Sequence, residues 1–137
     1  MPISSYTGLP RSGKSYSIVE YVILPALRSG RTVYSNVPMN DELCQKDFGA
    51  TVIMFDVSKI EPDFFDNVSY GSLVVIDECW RLWPAGLTAK TMTESHKSFL
   101  TEHGHRVEKG ACIEICMVTQ DLSQLCAFVR NLVEVTY

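Results

Sequence analysis

Two stretches of this chain carry residues that could do phosphate chemistry. Gly8 to Ser15 reads GLPRSGKS, which fits the pattern G-x-x-x-x-G-K-[ST]. Gly8 and Gly13 allow the backbone to turn tightly and approach an anion without a Cβ in the way. Successive backbone N–H groups along Leu9 to Ser12, Pro10 excepted because proline has none, and the start of the following helix then surround phosphates. Lys14 supplies positive charge to the β and γ phosphates, and the Ser15 hydroxyl is a magnesium ligand. By chance the pattern occurs about once in 80,000 positions if residues are equally common. In a chain of 137 residues the match is therefore specific.

The second stretch, SLVVIDECWRLWPAG, runs from Ser72 to Gly86. Leu73 to Ile76 is a short apolar run, suited to a strand covered on both faces. It delivers Asp77 and Glu78, adjacent carboxylates whose side chains must point to opposite faces. With a phosphate loop elsewhere in the chain, Asp77 reads as the second Mg²⁺ contact and Glu78 as the general base that polarises an attacking water. Gln120, at the end of another apolar run, is a candidate for sensing the γ-phosphate or orienting water, with a helix-capping role as the competing reading. Arg106 and Arg130 are candidate arginine fingers acting in a neighbouring subunit. His103 and His105 are two apart and so lie on different faces of a helix, which argues against a metal pair. Trp80 and Trp83 read as packing or subunit contact.

The elements that must position these groups alternate in type. Strands are predicted at 3–7, 32–36, 51–56, 73–76, 111–119 and 132–137. Helices are predicted at 14–29, stopped by Gly30, at 59–67 with Phe64 and Phe65 packing inward, at 93–109 with a break near Gly104, and at 122–129. Residues 40–50 are polar and ambiguous, and 84–90 read as loop. This alternation implies an α/β domain with a mostly parallel sheet, helices on both faces and right-handed crossovers, of the P-loop NTPase type.

Bulk properties narrow the function. Net charge is −4, from 12 basic and 16 acidic residues, so charge balance gives DNA contact no support. Five cysteines, Cys44, Cys79, Cys112, Cys116 and Cys126, form no CxxC and are odd in number. They read as buried thiols in a reducing compartment rather than a disulfide framework or zinc site. The sequence shows no secretory signal and no apolar run near the roughly 18 to 20 residues of a membrane span, so the chain is expected to be soluble and cytoplasmic.

Taken in order, GLPRSGKSY, RTVYSNVP, VVIDECWRLWP, EHGHR and VTQDLSQL resemble the zonula occludens toxin (Zot) family, from Met1 to about Arg130. That family includes the assembly ATPases of filamentous phages. The resemblance implies one P-loop ATPase domain over 1–137, the N-terminal cytoplasmic portion of a longer family-type protein that works at the inner membrane. It implies ATP and Mg²⁺ as cofactors, a homo-oligomer, and phage assembly and export proteins as partners. Lys14, Ser15, Asp77, Glu78 and Gln120 fall on the matching motif positions. Two alternatives stay open. A small-molecule or nucleotide kinase would use the same loop, although the six scattered arginines form no lid-like cluster. A truncated nucleotide-binding interaction module would bind without hydrolysis. A GTPase is disfavoured because no N/T-K-x-D motif occurs.

Overall fold

The computed structural model describes residues 3–7, 17–39, 41–102, 107–108 and 111–137. Gly8 to Ser15, His103, His105 and Arg106 lie outside the described residues. Six strands form one sheet: β1 (Ile3–Tyr6), β2 (Val33–Ser35), β3 (Val52–Met54), β4 (Leu73–Asp77), β7 (Glu114–Val118) and β8 (Val133–Thr136). A separate antiparallel pair joins β5 (Val107–Glu108) to β6 (Ala111–Cys112). The six-stranded sheet has the order β3-β2-β4-β7-β1-β8, and every pairing in it is parallel.

Alternation along the strands sorts their side chains into two layers. Leu73, Val75, Cys116 and Val118 pack with Ile23, Ala26 and Leu27 of α1 (Leu24–Arg28 and its preceding turn) and Cys44 of α2 (Asp41–Phe48). Val74, Ile76, Ile115 and Met117 pack on the other side. They meet Phe65 and Trp83 from the intervening turns, Phe99 and Leu100 of α3 (Glu94–Glu102), and Val129 of α4 (Ala127–Arg130). The central strands are thus covered on both faces, which is why their sequences are continuous apolar runs.

Several expectations need correcting. Of the helix expected at 93–109, Glu94–Glu102 is helical, the expected break near Gly104 lies outside the described residues, and Val107 and Glu108 belong to a strand paired with Ala111 and Cys112. The strand expected at 111–119 is consequently split between that hairpin and β7. Ambiguous residues 41–48 form α2, whereas 59–67 is helical only over the short turn Phe64–Asn67. Phe65 is fully buried there, with its ring stacked 4.6 Å from that of Phe99, while Phe64 is partly covered. The segment 122–129 divides into a turn at Leu122–Gln124 and α4, because residues 125 and 126 are extended and Leu125 bridges to Pro84. The α1 segment passes through a π-helical turn at Val19–Ile23, and Gly30 ends it with φ of 80°. The five cysteines are buried, as expected.

Candidate functional site

The sheet order brings together the ends of three strands. In register, Tyr6 of β1 pairs with Val118 of β7, and Val118 pairs with Asp77 of β4. The three strands therefore finish level, and the Thr119 N–H donates to the Tyr6 carbonyl at 3.1 Å. The GLPRSGKS segment follows Thr7 and leads into α1. Asp77 shares the parity of Leu73 and Val75 and so faces the same layer as α1. Two strand spacings, about 10 Å, separate the backbones of β1 and β4. In open α/β sheets this carboxyl edge is where ligands bind.

Asp77 is half-buried and closes β4. Its backbone N–H donates to Oδ1 of Asn36 at 2.6 Å, and Nδ2 of Asn36 donates to the Asp77 carbonyl at 2.7 Å. The Asp77 carboxylate accepts the Glu78 N–H at 2.9 Å. Glu78 does not continue the strand. It has φ 52° and ψ 45°, and it is the one non-glycine among the described residues with positive φ. Opposite-face alternation therefore stops at Asp77, and Glu78 is aimed by a left-handed turn instead. A non-glycine residue in this region is strained, and such strain concentrates at functional positions.

The exposed Glu78 carboxylate accepts a hydrogen bond from Arg81 Nε at 2.6 Å, within an ion pair three residues apart. The Arg81 guanidinium also lies 5.0 Å from the centroid of the Trp80 ring. Both partners of the ion pair are more than half exposed, so it orients the carboxylate with little energy, about 0.2–1 kcal/mol. Beneath this turn, Cys79 is fully buried and its thiol is pushed up to about 12 by that burial, which leaves it protonated and unreactive. Trp83 is fully buried too, and its Nε1–H donates to Nδ1 of His96 on α3 at 3.2 Å. The expectation of packing holds for Trp83.

Gln120 is exposed just past β7, on the same edge as Asp77. Its backbone is held by Gln124, whose Oε1 accepts both the Gln120 N–H at 3.2 Å and the Thr119 hydroxyl at 2.5 Å. Asp121, not Gln120, caps the next turn: its carboxylate accepts the Ser123 N–H, and these bonds to Ser123 hold it below the usual carboxylate range. Arg130 ends α4, exposed, in the opposite helix layer from the one Asp77 faces. With Leu87 and Phe128 it lines a groove of about 580 Å³.

The structure thus brings Asp77, Glu78 and Gln120 to one edge, and it adds Asn36, Arg81 and Gln124, which sequence reasoning missed. The only local signal was spacing: Arg81 is three residues after Glu78, and Gln124 is four after Gln120. Asn36 stood in the sequence as the end of a strand before a proline turn.

A magnesium ion needs few protein ligands, because it keeps several waters and is commonly held by one or two carboxylates plus substrate phosphates. Among the described residues no group of three or more His, Cys, Asp or Glu side chains could hold a metal. Asp77, a single half-buried carboxylate at a strand end, is of the ligand type in that pattern. No helix among the described residues is long and apolar enough to cross a membrane.

Comparison with known proteins bears on this arrangement. The family model described as Zonular occludens toxin (Zot) matches residues 2–137. In sequence the chain is 26% identical to the zona occludens toxin of Vibrio cholerae over 167 aligned positions, covering 100% of this chain and 39% of that protein. The chain therefore spans about two-fifths of the length of that curated relative. Among solved structures it is similar to the genome packaging NTPase B204 from Sulfolobus turreted icosahedral virus 2, in complex with ATPγS. The TM-score is 0.67 at 16% identity, covering 99% of this chain and 73% of that one. The N-terminal domain of zonular occludens toxin from Neisseria meningitidis matches with a TM-score of 0.61 at 23% identity, covering 96% and 73%. At these identities the likeness establishes the fold, that of the P-loop NTPases.

Proposed function

The chain belongs to the zonular occludens toxin (Zot) family, and from that premise we propose that residues 1–137 are a magnesium-dependent ATPase domain. The observation that carries this reading is the level alignment of β1, β7 and β4. It puts Asp77 and Glu78 on the sheet edge where β1 ends, with Thr7 between β1 and the G-x-x-x-x-G-K-[ST] segment in sequence, and Asp77 on the face that α1 covers. In this reading Gly8, Leu9, Pro10, Arg11, Ser12, Gly13, Lys14 and Ser15 hold the triphosphate, and Lys14 balances charge on its β and γ groups. Ser15 and Asp77 would hold Mg²⁺, which when bound neutralises charge between the β and γ phosphates.

The chain's own residues account for the remaining steps. Glu78 takes a proton from water as the water oxygen bonds to the γ phosphorus and the bond to the β–γ bridging oxygen breaks. The left-handed turn presents its carboxylate, and Arg81 restrains one of the two carboxylate oxygens, Oε2. Gln120, fixed through Gln124, orients the same water or contacts the γ-phosphate. ADP and inorganic phosphate are the products.

At the level of the whole protein, the reading is an ATPase that powers filamentous phage assembly and export. It would act as a homo-oligomer on the cytoplasmic side of the inner membrane, with phage assembly and export proteins as partners. The family supports this role, and the chain's span of 39% of its curated relative makes it a proposal about a larger protein.

The test uses the 137-residue chain, a fluorescent ATP analogue and a phosphate-release assay without any acceptor. Lys14→Ala is expected to abolish Mg-dependent binding, and unchanged affinity would sink the site assignment. Glu78→Gln is expected to bind normally and to lose about 10²–10⁴-fold in turnover. Turnover at the parent rate would remove Glu78 as the base. Release of phosphate with no acceptor present separates a hydrolase from a kinase.

A further inference from the structure

The β2–β4 ladder runs Val33 to Leu73, Tyr34 to Val74 and Ser35 to Val75, and then stops. The β2 chain turns away through Ser35, whose hydroxyl both accepts the Val37 N–H at 2.9 Å and donates to the Val37 carbonyl at 3.1 Å. Strand β4 continues for two more residues, paired with β7 as far as Asp77 and Val118. On the β2 side, Asp77 stands two residues past Val75, the last rung of that ladder. The Asn36 side chain meets it there, accepting the Asp77 N–H at 2.6 Å and donating to the Asp77 carbonyl at 2.7 Å.

A carboxamide carries the same donor and acceptor as a peptide group, so Asn36 extends the sheet by one rung without backbone. No other side chain does this equally. Asp and Glu lack the donor, Ser and Thr lack the second polar atom, and Gln sets the amide one methylene further out. The clamp reaches beyond the backbone, because the Asp77 carboxylate in turn accepts the N–H of Glu78 and the left-handed turn starts there. We infer that Asn36 is a positioning residue for the magnesium contact: it fixes the Asp77 backbone, and through it the aim of the carboxylate and of the Glu78 turn. This rests on the reading of Asp77 as the Mg²⁺ ligand.

The test titrates Mg²⁺ against binding of a fluorescent ATP analogue by the 137-residue chain, with a parallel measurement in EDTA. Asn36→Ala is expected to raise the Mg²⁺ concentration for half-maximal binding about 10–100-fold, as loss of a partner behind a metal ligand typically does. Metal-free binding should stay within about two-fold, since the phosphate loop is untouched. Asn36→Gln keeps the amide and changes its reach. It should shift the midpoint in the same direction, and it carries the test if the alanine variant fails to fold by circular dichroism. In an Asp77→Asn background, Asn36→Ala should add no further shift, because the effect passes through Asp77. A Mg²⁺ midpoint within about two-fold of a magnesium-dependent parent overturns the inference, and so does an equal shift in the Asp77→Asn background. A parent that binds nucleotide without regard to Mg²⁺ overturns the reading of Asp77 and this inference together, a pattern distinct from either of those results.

Discussion

Glu78 combines a candidate catalytic carboxylate with a backbone that only glycine adopts freely, and this combination gives a signed prediction. At φ 52° and ψ 45° a residue with a Cβ meets a penalty of about 1–2 kcal/mol that glycine escapes. Against this, glycine loses about 0.4–1 kcal/mol relative to alanine through the greater freedom of its unfolded chain. The Glu78–Arg81 ion pair is absent from both Glu78→Gly and Glu78→Ala, so it cancels when the two variants are compared. The glycine variant is therefore expected to be the more stable, by about 0.5–1 kcal/mol. At an ordinary strand or helix position the order is the reverse by a similar amount. For a chain of 137 residues the difference is about 2–4 °C in melting temperature, readable by calorimetry and by urea denaturation. Both variants should lose turnover equally, since both lack the carboxylate. An alanine variant as stable as the glycine variant, or more so, would refute the claim that backbone strain is stored at the Glu78 turn.

Three further outcomes are expected. Phe65→Ala removes a fully buried ring stacked on Phe99 and packed by Trp83, and should cost about 3–5 kcal/mol by urea denaturation. Trp83→Phe keeps most of the ring but deletes the N–H donated to His96, and should cost about 1–3 kcal/mol in the same measurement. Burial holds the His96 imidazole below its ordinary value of 6.5, an effect opposed by Asp66. Above pH 6.5 both folded and unfolded states leave it neutral. As pH falls below 6.5 the unfolded chain takes up the proton first, so stability should decline toward the lowered folded value. In His96→Gln this part of the slope should flatten, and an unchanged slope would assign it to other groups.

The legible features were local. The strand Leu73 to Ile76 could be read because burial on both faces leaves a continuous apolar run. The α/β alternation and the buried cysteines followed from periodicity and composition in the same way. The helix expected over 93–109 failed at Val107 and Glu108, because their pairing with Cys112 and Ala111 is not visible in a local periodic pattern. The opposite-face placement of Asp77 and Glu78 failed because it assumed an unbroken strand, whereas β4 ends at Asp77.

The sequence by itself determined the alternation of strands and helices and the apolar run that ends at Asp77, since propensity and patterning act over a few neighbouring residues. Only the tertiary structure decided that β7 separates β1 from β4, which sets how far the acids stand from the end of β1. It alone decided that Asn36, 41 residues before Asp77 in the chain, supplies the last rung of the sheet. Hydrogen bonds between parallel strands join segments that local pattern treats as independent, so their partners exist only once the sheet has closed.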